Sequence, residues 1–485
     1  MRTLHTDFET KTLWPSQVSG IAFLESRSAI LGDEVGLGKT LQAIRAAQQI
    51  KPAENNGAAP HPVAILVICP LNLRANLKHW WAQEITGEEM TQLGAPSDRH
   101  VVTTELVKNT PIIKVYDGPG YEENLIRVWV IGHYEQLTKR HSVHKLLRER
   151  KWDAIIADEV HKAKNAKAQR TQGLWALRAR FKWGLTGTPV AEFPPDLWAL
   201  LHWVAPDEFP SYWSFVHRFT YPDYGRFGTR GRRAKDLEGL QRRTRPHLLV
   251  RRREDAGIEL PPLVMKVEQI EMPEEQQRFY EHAEITAILE TTDSQPNLTG
   301  PQMFNFAAQD LSSKVAPIVI ANAMARFTRL HQIASEPKHF KEITGGKEEW
   351  LKEFVLNGGG PAVVMTRYVR TTLTVREVLD DLKSHPDVPP NFDPDDWTIG
   401  TYHALSEGHN LQHYNQLVAW DSTWERLVWE QALGRIRRPG QLRNMTVYRL
   451  TAKGSVDNQV RRAIDRKMSE VEMIIDWLRG KGDAD

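Results

Sequence analysis

The stretch from Ala29 to Ile50 constrains the fold most. Three apolar residues, Ala29-Ile-Leu31, run into Asp33-Glu-Val-Gly-Leu-Gly-Lys-Thr40, and an amphipathic run from Lys39 to Ile50 follows. A strand that turns through glycines straight into a helix belongs to an α/β layer, because the helix must pack back on the sheet. The turn also carries chemistry. Gly36 and Gly38 let successive backbone N–H groups, Leu37 among them, face an anion at the positive end of the next helix. Lys39 can reach the β- and γ-phosphates of a nucleotide, and the Thr40 hydroxyl can take a Mg²⁺ coordination place. The general phosphate-loop pattern wants glycine where this chain has Asp33, so the strict pattern fails by one residue. Taken alone, a glycine turn before an ordinary helix reads the same way.

The alternation repeats along the chain. Strand candidates at 63–69, 112–115, 128–131, 154–157 and 183–186 are separated by helical patterns such as 73–84. Near-continuous apolar strands between helices predict a parallel sheet covered on both faces. From about 195 to 340 the sequence reads as mostly helical, with Leu260-Pro-Pro262 as a hinge or boundary. A second α/β pattern begins near Pro361, with strand candidates at 362–365, 397–402, 417–420 and 446–450, and residues 455–478 have helical spacing. The expected organisation is two α/β domains in tandem. The first covers 1–258 with a basic, helical insertion at about 195–250; the second covers 259–485 with a helical insertion at about 272–340.

Composition excludes several classes. Hydrophobic residues are 41% and charged residues 26% of the 485, which is the globular norm. Cys69 is the only cysteine, so an intrachain disulfide and a Cys-based zinc or iron–sulfur site are out. Its apolar neighbours suggest an inert core thiol. The longest apolar runs hold about ten residues against the roughly 20 that span a bilayer, and Met1 to Thr12 lacks a signal-peptide pattern. A soluble, intracellular protein without membrane contact is expected. Lys and Arg number 63 against 61 Asp and Glu, too even a balance for the whole chain to be a polycation.

A second constellation lies at Trp152-Asp-Ala-Ile-Ile-Ala-Asp-Glu-Val-His161. It places Asp158 and Glu159 at the C-terminal end of an apolar strand, the edge where open α/β sheets bind ligands. There Asp158 can hold Mg²⁺ and Glu159 can orient or polarise an attacking water. Two solvated carboxylates opening a helix are the plainer alternative.

Taken in order, these residues resemble the Swi/Snf-like ATPases of helicase superfamily two, in a compact prokaryotic or phage form. Residues 33–40 are similar to that branch's motif I, which carries Asp-Glu before its glycines, and Asp158-Glu-Val-His161 to motif II. Leu185-Thr-Gly-Thr-Pro189 resembles motif III, and Gln431-Ala-Leu-Gly-Arg-Ile-Arg-Arg-Pro-Gly-Gln441 resembles motif VI. Residues 13–20 look like the adenine-reading segment, with Gln17 in the reading position. Cys69-Pro-Leu with Trp80 looks like motif Ia, and Ile131-Gly-His-Tyr-Glu135 like a DNA-side motif. Motif V (404–411) keeps Gly408, Asn410 and Leu411 but lacks the family's double glycine, and motif IV is poorly matched at Met365-Thr-Arg367. Arg251-Arg-Arg and Leu260-Pro-Pro262 resemble the passage from the first motor domain to the second.

The resemblance implies two RecA-like parallel-sheet domains, with ATP and Mg²⁺ as cofactors. Lys39, Asp158, Glu159, Arg435 and Arg438 are then catalytic. Gln17, Gly36, Leu37, Gly38, Lys39 and Thr40 hold nucleotide, and Thr40 with Asp158 holds Mg²⁺. Arginines at the γ-phosphate can be worth about 10³–10⁵ in rate, a role that falls to Arg435 and Arg438. Arg74, His133, Tyr134, Arg242, Arg243, Arg245 and Asn410 are the nucleic-acid candidates. Residues 226–253 hold eleven Arg or Lys against two Asp or Glu, a concentration suited to phosphate-backbone contact; a solvated loop explains 225–235 equally well. The implied function is an ATP-driven translocase on double-stranded DNA, acting as a monomer in a bacterial or infected-host cytoplasm with room for a separate effector or nuclease partner. A strand-separating DNA or RNA helicase and an ATP-gated nucleic-acid clamp without turnover are the competing functions.

Overall fold

The strand Val63–Cys69 shows why the first sheet forms. All seven residues are apolar and buried. Ile65, Val67 and Cys69 enter one core, while Ala64, Leu66 and Ile68 enter another. A strand buried on both faces needs helices above and below it. The computed structural model describes residues 13–52, 62–70, 80–86, 100–107, 110–117, 127–138, 141–190, 194–225, 228–289, 316–406 and 410–479. The chain divides into two units.

The first unit comprises residues 1–223, 229–259 and 469–485. Its sheet contains β1 (Ala29–Leu31), β2 (Val63–Cys69), β3 (His100–Val107), β4 (Thr110–Asp117), β5 (Arg127–His133), β6 (Lys151–Asp158) and β7 (Arg178–Leu185). A separate hairpin, β8 (Thr220–Gly225) and β9 (Gly228–Ala234), precedes the short β10 (Leu248–Leu249). The spatial order is β10-β1-β7-β6-β2-β5-β4-β3. The strands from β10 to β5 are parallel, and β4 and β3 run antiparallel. The parallel expectation fails at this edge because two residues separate β3 from β4, and a parallel crossover needs a dozen or more. Helices Lys39–Gln48 and Ser142–Glu149 contribute to the opposite cores.

The second unit comprises residues 224–228 and 260–468. Its sheet is built from β11 (Leu263–Ile270), β12 (Val363–Thr366), β13 (Thr398–Thr401), β14 (Gln416–Ala419) and β15 (Met445–Ala452). The order is β11-β15-β14-β12-β13, all parallel. Val363, Leu417 and Val447 face a core with helix Arg426–Ile436, while Val364, Val418 and Leu450 face one with helices Gly346–Leu356 and Val369–Leu382.

Two expectations need correction. Residues 195–250 are not all helical: β8, β9 and β10 lie within them. Leu260-Pro-Pro262 lies at the boundary between the two units, and directly after it Leu263–Ile270 pairs with β15 over eight residues. The last residues do not all belong to the second domain. Val471 and Ile474 pack with Val190 of the first unit, alongside Leu237 and Leu478. Among the described residues no helix is long and apolar enough to cross a membrane.

The second unit buries a cation completely. Lys347 donates from Nζ to the Trp420 carbonyl and to Asp457 Oδ2, both at 2.8 Å, and lies 3.8 Å from Asp421 Oδ1. Both carboxylates are fully buried. Burial alone would raise the Asp457 pKa; the Lys347 charge overrides it and holds the group below the usual carboxylate range. Removing the lysine strands two charges where water cannot reach. Lys347→Ala should therefore lower the unfolding free energy by about 3–5 kcal/mol. A urea midpoint equal to that of the parent protein would contradict this.

Candidate active site

The glycine loop takes its shape from backbone conformations that side chains resist. Gly36 and Gly38 have φ of 98° and 72°, in the region that favours glycine. Gly38 caps helix Lys39–Gln48, so the helix's free N–H groups open onto the loop. A Cβ on Gly38 would lie 2.6 Å from Gln17 Nε2. Gln17 is buried. Its Nε2 donates to the Leu37 carbonyl at 3.4 Å, and its Oε1 accepts from the Trp14 N–H at 3.0 Å. The adenine candidate is thus tied directly to the loop. Thr40 stands half-buried in the first turn of the helix.

Lys39 turns back on its own loop. Its Nζ donates to the carbonyls of Asp33 at 2.7 Å and Glu34 at 3.4 Å. Burial pulls its pKa down, while Glu159, Asp33, Asp158 and Glu34 push it up; the net shift is downward. The ammonium therefore feels the charge of four carboxylates and is held by two carbonyl contacts of its own loop that an anionic ligand can replace.

Asp158 ends β6 at the C-terminal edge of the sheet, as its position after Ala154-Ile-Ile-Ala157 predicts. Its Oδ1 accepts the Glu159 N–H at 3.0 Å and its Oδ2 accepts the Trp81 Nε1–H at 3.1 Å. Burial first, and the Glu159 charge second, raise its pKa to about 7. Glu159 adopts φ 50°, a strained value for a residue with a side chain. Its carboxylate lies 3.2 Å from His161 Nδ1, which also lies 3.1 Å from the Thr186 hydroxyl. A Cβ on Gly187 would come 3.7 Å from Lys39 Nζ. The stretch 185–189 therefore borders the loop.

The donor set fits a magnesium nucleotide. A buried carboxylate whose charge is disfavoured in isolation, a hydroxyl at a helix start and a lysine with exchangeable contacts are the groups such a ligand needs. Asp158 and Thr40 are the residues that would hold Mg²⁺, which usually keeps water and phosphate as its other ligands.

Sequence reasoning misses Trp81 and singles out its neighbour Trp80; only the fold shows which indole reaches Asp158. By sequence, Arg251 and Arg253 mark no more than a passage between domains. In the structure Arg251 binds both oxygens of the buried Asp33 and Arg253 binds Glu34. The available signal was Asp33, a carboxylate where a phosphate loop usually has glycine, with Glu34 beside it.

The nucleic-acid candidates fare unevenly. Tyr134 is buried, and its hydroxyl donates to the Asp158 carbonyl at 2.7 Å, so it supports the site rather than facing a polymer. His133 is buried too, with Nδ1 2.9 Å from Glu135 Oε2. Arg243 binds the Glu208 carbonyl and covers the Phe209 ring. Arg242 and Arg245 are exposed, Arg242 beside Glu238. Arg74 lies outside the described residues.

In the second unit, Arg435 Nε donates to the Ser406 carbonyl at 2.6 Å, and Arg438 donates to Asn410 Oδ1 at 2.7 Å. Helix Arg426–Ile436 carries Arg435, and the turn after it, with Gly440 at φ 99°, carries Arg438. Asn410 thus serves as a partner of Arg438. Gly408 lies outside the described residues.

The SNF2-related domain family matches residues 17–339. The chain is 26% identical over 514 residues to Protein CHROMATIN REMODELING 5 of Arabidopsis thaliana, covering 97% of this chain and 27% of that protein. It is 27% identical over 475 residues to chromatin structure-remodeling complex subunit snf21 of Schizosaccharomyces pombe, covering 89% and 36%. The chain therefore spans about a quarter to a third of these relatives' length. A solved SWI2/SNF2 ATPase core of Sulfolobus solfataricus in complex with dsDNA aligns with TM-score 0.40 and 19% identity, over 96% of this chain and 95% of that one.

The Asp158 environment makes a stability prediction. A carboxyl whose folded-state pKa is raised contributes stability that is present below the unfolded value and lost as pH rises through the folded one. The window runs from about 4 to about 7. In metal-free, nucleotide-free solution, Asp158→Asn should melt higher than the parent at pH 8, by about 2–4 kcal/mol, with the gain vanishing near pH 4. Thermal melts across this range decide it; equal stability at pH 8 would contradict it.

Proposed function

Because the chain belongs to the SNF2-related domain family, we propose that it is a nucleic-acid-dependent ATP hydrolase whose turnover drives movement along duplex DNA. One observation carries the reading: Lys39 sits among Asp33, Asp158 and Glu159 at a glycine loop that opens a helix. Phosphoryl transfer asks a protein mainly for position and charge, and this arrangement supplies both. The loop's N–H groups receive phosphate, and Lys39 exchanges its two carbonyl contacts for phosphate oxygens. Glu159, oriented by its backbone and by His161, accepts hydrogen-bonding from the attacking water. Mg²⁺, when bound by Asp158 and Thr40, supplies charge to the leaving phosphates. Arg435 and Arg438 supply the remaining positive charge to the γ-phosphate in this reading, and Gln17 reads the base.

The polymer assignment rests on the family and on the basic segment ending at Arg253. Arg242 and Arg245 are its exposed cations on and just after helix Leu237–Thr244, where they suit contact with a phosphate backbone that carries no sequence information. Chromatin remodelling, which names the relatives, involves proteins about three to four times longer than the matched region; what this chain shares with that family is the SNF2-related domain.

ATP turnover measured in parallel without polymer and with single-stranded DNA, duplex DNA and RNA tests the reading. Duplex DNA should stimulate it several-fold. Lys39→Ala and Glu159→Gln should each lower it by about 10² or more, and Arg435→Ala or Arg438→Ala by about 10³. A rate indifferent to every polymer would overturn the DNA motor. Triplex displacement without unwinding of a forked duplex separates translocation from strand separation, and tight DNA binding without turnover would indicate a clamp. Reversing Arg242 and Arg245 to Glu should weaken DNA binding and reduce the salt slope by about one for each phosphate no longer neutralised; unchanged affinity at low salt would remove them from the interface.

A further inference from the structure

Asp33 is fully buried, and its side chain leaves the loop for the protein interior. Its two oxygens take Nε and Nη2 of Arg251, the first at 2.8 Å, and Gln42 Nε2 adds a contact at 3.1 Å. Arg251 also donates to Gln42 Oε1 at 2.9 Å, to Ser19 Oγ at 2.8 Å and to the Ser16 carbonyl. Glu34 is held the same way: the Arg253 guanidinium binds it, and the Arg253 N–H donates to Oε2 at 3.0 Å. The backbones join as well, Gly32 N–H to Leu249 O at 2.7 Å and Glu34 N–H to Arg251 O at 2.9 Å.

These are the two residues whose carbonyls Lys39 occupies. When Lys39 turns to phosphate, both carbonyls lose that partner, and the arginine contacts, with Gln42 and the backbone bonds to Leu249 and Arg251, keep the loop's first turn in place. A buried Arg–Asp pair contributes little to stability over an apolar replacement, so global stability is a weak reason for one here. The alternate side chains of the same segment face elsewhere. Arg252 lies 3.7 Å from Asp476, and Glu254 and Asp255 bind Arg479, all within the first unit. The chain leaves that unit at Glu259.

We propose that Arg251 and Arg253 are positioning residues of the nucleotide loop: through Asp33 and Glu34 they hold it ready for phosphate, and through the same bonds they carry nucleotide binding into the segment by which the chain leaves the first unit. The inference rests on the reading of this loop as an ATP site.

The test titrates the full chain with a fluorescent ATP analogue and Mg²⁺ and follows amide hydrogen exchange over residues 250–262. Arg253→Gln should raise the dissociation constant about tenfold, since it removes a charge-assisted hydrogen bond to Glu34. Glu34→Gln combined with Arg253→Gln should do no worse than Arg253→Gln alone, because the pair acts as a unit. Nucleotide should slow exchange over 250–262 in the parent protein and not in Arg253→Gln. Should Arg251→Gln fail to fold, Arg251→Lys keeps the charge without the fork and should bind with intermediate affinity. If the parent binds nucleotide and the folded variants bind within twofold of it, this inference fails alone. A parent protein without nucleotide affinity overturns the ATP-site reading, and this inference with it.

Discussion

An ammonium and four carboxylates, two of them buried, crowd one sheet edge, and the first unit is arranged around that fact. Isolated charges in a protein interior cost several kcal/mol each even after relaxation. Lys39 therefore lies close enough to Glu159, Asp33, Asp158 and Glu34 for all four to act on it. Each of those carboxylates has a partner of its own: Arg251 for Asp33, Arg253 for Glu34, His161 for Glu159, and the Trp81 indole with a backbone N–H for Asp158. What is left under-compensated is Asp158 beside Glu159, whose mutual repulsion in a buried place favours a proton or a cation. The chemistry proposed for the site begins from that imbalance.

Rigid surroundings make the imbalance usable. β6 delivers Asp158 from between two apolar cores, and Tyr134 fixes the carbonyl of the same residue from the turn after β5. Gly38 and Glu159 hold left-handed conformations on the two sides of the site. Strain of this kind persists only where neighbours over-determine it, and here Gln17, Leu37 and His161 do so. The loop has little freedom except at Lys39, whose long side chain can exchange partners without moving the backbone.

The second unit shows a similar economy with a different charge. Lys347 is enclosed by Asp457, Asp421 and a carbonyl, and Asp421 Oδ2 accepts the Arg367 N–H at 2.9 Å. Asp421 follows β14 and lies five residues before helix Arg426–Ile436, which carries Arg435. The turn bearing Arg438 is anchored by Asn410 and by Gln441, whose Nε2 donates to the Tyr414 carbonyl at 2.6 Å. The late arginines are thus presented by a frame that is itself pinned by a buried ion cluster.

Local chemistry was legible in the linear text. A glycine turn between a strand and a helix, an acidic pair after an apolar run and an Arg-rich stretch near the end each depend on neighbours within a few residues, so their spacing sufficed to single out Lys39, Thr40, Asp158 and Glu159 as candidates. The two parallel sheets were legible because strands buried on both faces must be apolar throughout, whatever surrounds them. β3 and β11 were not, since Leu263–Ile270 mixes apolar residues with Lys266, Glu268 and Gln269, and no local rule says that it joins β15. Nor could the order of residues tell that Asp33 meets Arg251, that Trp81 rather than Trp80 reaches Asp158, or that Tyr134 turns inward. Those contacts join positions tens to hundreds of residues apart, and a hydrogen bond depends on where two atoms lie in space. The chain's text determined which chemistry was available; folding decided which charges would be neutralised and which would be left to work.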